Sequence, residues 1–499
     1  MNVATLLDGH GDDVVALISR NRETTYGELR DQVSRLRGGL ARLGVATGDR
    51  VAIVCGNNRY FVISYFAVVG LGAVAVPLNP SSPGPELESE LATVEPCAII
   101  VGPAAWTGWA AVDRAAVPSI RVVVTAEEDS SGATDLADLL SAEPHPVVDV
   151  EPGHLAALLF TSGTAGPPRA AMLSHGNLLA NIDQSLTTSD HTRAGDMVYG
   201  VLPLFHIFGL NVVLGVSMGV GATVLLVGRF DPATAAESMA RRRVTVVPGA
   251  PAMWVAFSQF DELPADSFAS VRLALSGASR LSPTVAERFR DRFGVEISEG
   301  YGLTEASPVV TSSIGGSPRP GSVGRVLAGV DVRLVGDDGA DVPAGDAGEV
   351  WVHGDNVFMG YWRDTEATER VLRDGWLRTG DIAVADDDGY LYLVDRAKDL
   401  IIVSGFNVFP AEVESVLSSH PAVAEVAVLG VPHPHQGEAV KAFVVLRPGV
   451  SVDEDTLIDH CLDRLARYKS PTKVIFVEQL PRNDAGKLLR RELDGTVLG

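Results

Sequence analysis

The chain has 499 residues, 46% of them hydrophobic and 21% charged, with a formal net charge of −23 and a pI near 4.8. That length exceeds one ordinary core and predicts two or more domains, and the apolar content excludes disorder as the default state. The acidity excludes broad binding to nucleic acid or to an anionic membrane, since neutralising phosphates takes clustered Lys and Arg.

The N-terminus, Met1 to His10, lacks the basic start and apolar run of a signal peptide, so a cytoplasmic location is expected. Cys55, Cys97 and Cys461 lie far apart without metal spacing, which points to neither a disulfide framework nor a zinc site. From Arg50 to about Tyr301, Val/Ile-rich runs at 51–55, 74–78, 98–101, 121–124, 156–160, 223–227, 244–247 and 271–275 alternate with helical patterns such as 60–70 and 233–242. Continuous apolar strands imply sheets covered on both faces, and the alternation predicts an α/β fold with largely parallel pairing.

The strand at 156–160 runs into Thr161-Ser162-Gly163-Thr164-Ala165-Gly166, with Arg169 just beyond. Such a Ser/Thr/Gly turn can point several N–H groups and hydroxyls at one anion beside a permanent cation, although the composition alone also describes a surface linker. Pro203 to Gly209 opens an apolar stretch in which His206, taken alone, is an ordinary packed histidine. Residues 209–228 reach the length of a membrane span, but Gly215, Gly219 and Gly221 punctuate them. We read a buried helix to about Met218, a turn, and a strand at 222–227. Arg241-Arg242-Arg243 closes the next helix, where cations complement the dipole; a weak peripheral membrane contact is the alternative reading.

Ser276-Gly277-Ala278-Ser279 closes the strand at 271–275, and its small residues leave room for a flat ring against the backbone or make a plain βα turn. Gly300-Tyr301-Gly302-Leu303-Thr304-Glu305 follows a predicted strand at 295–298; its glycines admit close backbone approach and Tyr301 offers a stacking face. From about Gly321 to Asp395 strands alternate with acidic glycine turns, a smaller β-rich subdomain that contains Gly375-Trp376-Leu377-Arg378-Thr379-Gly380-Asp381. After Asp395-Arg396-Ala397-Lys398-Asp399 the pattern becomes a compact α+β domain with helices at 410–419 and 453–468 and strands at 426–429, 440–445 and 473–477. Its first turn is Ser404-Gly405-Phe406-Asn407, and it ends on Pro481-Arg482-Asn483-Asp484-Ala485-Gly486-Lys487, in a basic segment that is otherwise a solvated helix face and tail.

Taken in order, these segments resemble the adenylate-forming enzymes: acyl-CoA synthetases, peptide-synthetase adenylation domains and luciferases. The likeness runs from about residue 20 to 493. The loop at 160–176 is similar to the family's pyrophosphate-gripping loop, with Ala165, Arg169 and Ala170 in place of Thr, Lys and Gly. The resemblance implies that Thr161, Ser162, Gly163, Thr164, Gly166 and Arg169 hold ATP phosphates, and that Gly277, Ala278, Gly300, Tyr301 and Gly302 line the nucleotide pocket. It also implies that Thr304 contacts the α-phosphate, Glu305 binds Mg²⁺, and Asp381 and Arg396 hold the ribose.

Lys398 would be the hinge between an N-terminal domain (1–397) and a mobile C-terminal lid (398–499). Ser404, Gly405 and Phe406 would form the CoA-side turn and Lys487 would be the catalytic cation, while His206 would orient the acyl group. The segment 404–414 is especially similar to bacterial fatty acyl-CoA synthetases, and amine-activating relatives typically carry an Asp near His206 that this chain lacks. The implied activity is AMP-forming ligation of a fatty acid to CoA using ATP and Mg²⁺. The alternatives are an acyl-AMP ligase acting on a carrier protein, an aryl or other carboxylate ligase, and a weakly active ATP- or acyl-binding protein. The resemblance leaves monomer or homodimer open.

Overall fold

In a computed structural model of the chain, the uninterrupted Val/Ile/Leu runs form two large sheets. The structure describes all residues except 127–131, 162–167, 279–280, 282, 317–318, 337, 397–400, 409, 448, 482–492 and 494–499, and only the backbone of 259, 284, 394–396, 407, 411 and 415. One sheet has seven strands, in the spatial order Thr134–Asp135, Val122–Thr125, Ala98–Val101, Arg50–Val54, Val74–Leu78, Leu155–Thr161, Arg169–Ser174. All its pairings are parallel except the last. The other has nine, with a parallel centre built from Leu273–Ser276, Val246–Gly249, Met197–Gly200 and Thr223–Leu226.

Helix Arg59–Gly70 is apolar almost all round and every residue from Phe61 to Gly70 is buried, as expected for a helix enclosed in the core rather than lying on a surface. It belongs to one hydrophobic cluster that takes residues from both sheets, including Ile53, Ala75, Leu17 and Val224. A second core under the nine-stranded sheet is aromatic: Trp254, Phe257, Phe268, Phe289 and Phe293 meet edge-to-face or tilted at 4.7–6.2 Å.

The β-rich subdomain is antiparallel, with strands Val330–Val335, Ala347–Gly354, Trp376–Ala385 and Leu391–Arg396 paired in that order and the short strand Leu372–Arg373 also on Trp376–Ala385. The C-terminal domain builds a sheet from Ile401–Val403, Phe406–Val408, Val423–His433, Gly437–Leu446 and Lys473–Phe476.

Two local expectations need correction, and a third, the helix, turn and strand read in the apolar run after 208, is met. The strand expected at 426–429 is an arm of a hairpin running Val423–His433, because its partner Gly437–Leu446 pairs with it along its whole length. The helix expected at 453–468 ends at Leu462, and the chain then turns through a 3-10 segment Arg467–Lys469, carrying Tyr468 and Lys469 into the contact between domains. The apolar run after 208 is a helix from Phe208 to Val220 that begins with π-type turns and stops at Gly221, which sits at φ +77. No helix among the described residues is long and apolar enough to cross a membrane.

His175 is fully buried under the N-terminal segment, where its Nδ1 accepts the Val3 N–H at 3.0 Å. Burial, then the neighbouring His154 and N-terminal charge, hold its pKa down to about 3. The unfolded chain protonates this ring in the ordinary histidine range and the folded chain does not. Stability is therefore present above that range and falls as pH drops, by about 2 kcal/mol at pH 5 relative to pH 7.5. Thermal midpoints of His175→Gln should fall less steeply over that interval than those of the parent; equal slopes would contradict the assignment.

Candidate active site

Parallel strands deliver their C-terminal ends to one edge, and the candidate residues sit on the turns that follow. Thr161 ends the strand Leu155–Thr161, Ser276 ends Leu273–Ser276, and Gly302 ends Ile297–Gly302 just before the 3-10 turn Thr304–Ala306. Glu305 is buried at 8% exposure, and its Oε1 accepts from Tyr361 Oη at 2.7 Å and from Thr161 Oγ1 at 3.3 Å. Burial raises its carboxyl above the usual carboxylate range, against the pull of those donors. A hard divalent cation prefers oxygen ligands, and a buried carboxylate already oriented by two hydroxyls is suited to hold one.

Tyr301 is buried, and its hydroxyl donates to Asp381 Oδ2 at 2.7 Å. Its ring thus orients a carboxylate of the β-rich subdomain. Asp381 pairs in register with Arg396 on the neighbouring antiparallel strand, so the backbone sets the two candidate ribose ligands opposite each other. The glycines around Tyr301 serve packing as well: a Cβ on Gly302 would lie 2.0 Å from the Pro308 carbonyl oxygen and one on Gly300 2.9 Å from that of Thr311. Gly277 makes room for the Phe208 ring, which a Cβ there would approach to 2.9 Å, and Ala278 holds φ +68 beside it.

His206 lines a cavity with Thr161, Thr304, Phe205 and, from the C-terminal domain, Phe406. Its Nδ1 accepts the Phe208 N–H at 3.3 Å, and burial pushes its pKa down to about 4. The ring is therefore neutral at physiological pH and can orient a neutral or anionic group without carrying a charge. Ser404, at φ +52, and Gly405, at φ +87, make the tight turn between Ile401–Val403 and Phe406–Val408. This turn reaches the large domain, since a Cβ on Gly405 would lie 2.9 Å from that of Ala250 and 3.7 Å from that of Ala278.

Arg169 is engaged from behind: its Nε donates to Asp364 Oδ2 at 2.8 Å and its guanidinium lies 5.8 Å from the Tyr361 ring centre. Arg169→Met should raise the KM for ATP about tenfold, through loss of a half-buried cation and of support for Tyr361, with Arg169→Lys falling between the two. A KM unchanged in Arg169→Met would remove it from the phosphate site. Ser162, Gly163, Thr164, Gly166, Lys398 and Lys487 lie outside the described residues, as does the side chain of Arg396. Tyr361 and Asp364 escaped the sequence reading: Asp364 carries a helix N-cap signature, but nothing local joins either residue to a loop two hundred positions upstream.

A family model described as AMP-binding enzyme matches residues 6–362, and one for the AMP-binding enzyme C-terminal domain matches 412–487. A feruloyl-CoA synthase from an Amycolatopsis species is 39% identical over 471 residues, covering 94% of this chain and 93% of that protein. A long-chain-fatty-acid–CoA ligase from Bacillus subtilis is 33% identical, covering 96% and 91%. Among solved structures, the amide bond synthetase McbA from Marinactinospora thermotolerans aligns with a TM-score of 0.91 and 31% identity over 100% of both chains. The chain belongs to the AMP-binding, adenylate-forming enzymes, in the family of AMP-forming acyl- and carboxylate–CoA ligases.

Proposed function

We propose that this chain is a fatty acyl-CoA synthetase that first joins the acid to AMP, releasing pyrophosphate, and then transfers the acyl group to the thiol of CoA. One observation carries the reading: a single cavity is lined by Thr161, Thr304 and His206 of the large domain and by Phe406 of the C-terminal turn. A nucleotide-side threonine pair thus shares a chamber with the segment expected to admit the thiol. ATP and CoA are the substrates expected of the family.

In the first half-reaction the acid's carboxylate oxygen attacks the α-phosphorus and the bond to pyrophosphate breaks. Thr161, Arg169 and the turn between them would hold the outer phosphates, Thr304 the α-phosphate, and Asp381 with Arg396 the ribose. Mg²⁺ held by Glu305 would supply charge neutralisation for the phosphates when bound. In the second half-reaction the CoA sulfur attacks the acyl carbon and AMP departs, with Ser404, Gly405 and Phe406 guiding the narrow pantetheine arm. Neutral His206 would orient the acyl group, and rotation about Lys398 would exchange Lys487 for the Gly405 turn between the steps.

The acid is the least constrained part. A fatty acid fits the segment 404–414 and the lack of an ammonium-binding Asp near His206; an aromatic propenoic acid is favoured by the feruloyl-CoA synthase relative. Pyrophosphate release should be measured with acids from acetate to very long chains and with ferulic acid, each with and without CoA. The expected result is thioester formation that depends on CoA and peaks on a fatty acid. A maximum on ferulic acid selects the second substrate, and no pyrophosphate release with any acid overturns the proposal.

A further inference from the structure

Between helix Gly84–Val94 of the large domain and the C-terminal domain lies a buried charge cluster that the two half-reactions leave unused. Lys469 is 5% exposed, and its Nζ donates to Glu86 Oε1 at 2.5 Å and Glu412 Oε1 at 2.9 Å. Glu412 belongs to the same domain as Lys469, whereas Glu86 is 383 residues away across the contact. Glu90, one turn along from Glu86, faces the same space; burial, then the Glu86 charge, raises its pKa to about 8. Burial also works against the Lys469 ammonium, which the surrounding acidic groups hold charged.

The neighbouring residue, Tyr468, stacks on Phe406 at 4.4 Å, and Phe406 stacks on Phe205 of the large domain at 6.5 Å. One interface therefore contains the ion pair, the ring stack and the Gly405 turn that meets Ala250 and Ala278. A buried ion pair adds little net stability compared with apolar packing, and its better-attested use is to specify one arrangement over others. This pair also has a property that apolar packing lacks. A rotation that parts Lys469 from Glu86 leaves the ammonium with Glu412 alone and Glu86 without its cation, so the contact favours the arrangement in which both carboxylates meet it.

Resting on the proposed two-step reaction, we propose that Lys469 and Glu86 form a cross-domain catch that positions the Ser404–Phe406 turn for the CoA half-reaction and opens for the ATP half-reaction. Lys469 is then a positioning residue, acting through Tyr468 and Phe406. The first test needs no substrate. Ser89 on helix Gly84–Val94 and Asp459 on helix Glu454–Leu462 are exposed, one in each domain, and the three native cysteines are buried. In the chain carrying Ser89→Cys and Asp459→Cys, each bearing a spin label, the labels should show one narrow separation, and adding Lys469→Met or Glu86→Gln should cut that population severalfold, because the specified arrangement is less populated. An unchanged distribution of separations overturns the catch.

The second test splits the reaction in chains without the added cysteines. Lys469→Met and Glu86→Gln should each slow conversion of supplied acyl-AMP and CoA to thioester about tenfold, leave pyrophosphate release during acyl-AMP formation within about twofold, and be partly rescued by Lys469→Arg. Equal loss in both half-reactions overturns the proposal. If the parent chain makes neither acyl-AMP nor thioester, the proposed function fails, and the distribution of label separations still decides whether the catch exists.

Discussion

Lys487→Ala is expected to reduce acyl-AMP formation by roughly 100- to 1000-fold, the range for removing one charge-stabilising donor from a transition state. Conversion of supplied acyl-AMP and CoA to thioester should survive. The expectation rests on the resemblance of the segment Pro481 to Arg491 to the family's C-terminal signature, which implies that its lysine bridges attacking carboxylate and α-phosphate. Negative charge accumulates between those two groups only during attack, so a cation there accelerates adenylation more than it aids binding. In the proposed cycle the second half-reaction releases that phosphate as a leaving group after the lid has turned. Equal loss of both half-reactions would mean that Lys487 supports the fold or holds nucleotide throughout, and the assignment would fall.

Glu305→Gln should produce the second large effect, a loss of adenylation of roughly 100-fold or more together with a raised Mg²⁺ requirement, because an amide is a poor ligand for a hard cation. Stability should move the other way. Burial raises the Glu305 carboxyl above its ordinary range. The folded state therefore holds its proton to higher pH than the unfolded chain, and the stability this contributes is fully present below the ordinary carboxylate range and lost as pH rises through the raised value. At neutral pH without nucleotide or metal, the parent carries that cost and the glutamine variant does not. The variant's thermal midpoint should equal or exceed the parent's there; a clear drop would show that the Tyr361 and Thr161 hydrogen bonds to the charged carboxylate outweigh its desolvation.

Much of the fold was legible because it rests on patterns within a few residues. The strands Val74–Leu78 and Ala98–Val101 match their apolar runs end to end, and Gly221 stops the long apolar helix where its punctuation predicts. The errors lie where distant partners decide. Val423–His433 extends to match its partner strand, and the helix that ends at Leu462 gives way so that Tyr468 and Lys469 can enter the domain contact. The site divides the same way. Thr304, Glu305 and Asp381 were readable as motif positions, but Tyr361 beneath Glu305 and Glu86 opposite Lys469 were not, since each meets its partner only after domains and sheets have assembled.

The hydrogen bond from Tyr301 to Asp381 spans eighty positions and joins the nine-stranded sheet to the β-rich subdomain. A nucleotide gripped on both sides of that joint would act as a rivet across it, added to the core that the two pieces already share. Ligand binding then stabilises by mass action every arrangement in which the pieces are joined and none in which they are parted. Hydrogen exchange in strands Val330–Val335 and Ala347–Gly354, far along the chain from the phosphate loop, should therefore slow on ATP binding as much as exchange beside the loop itself.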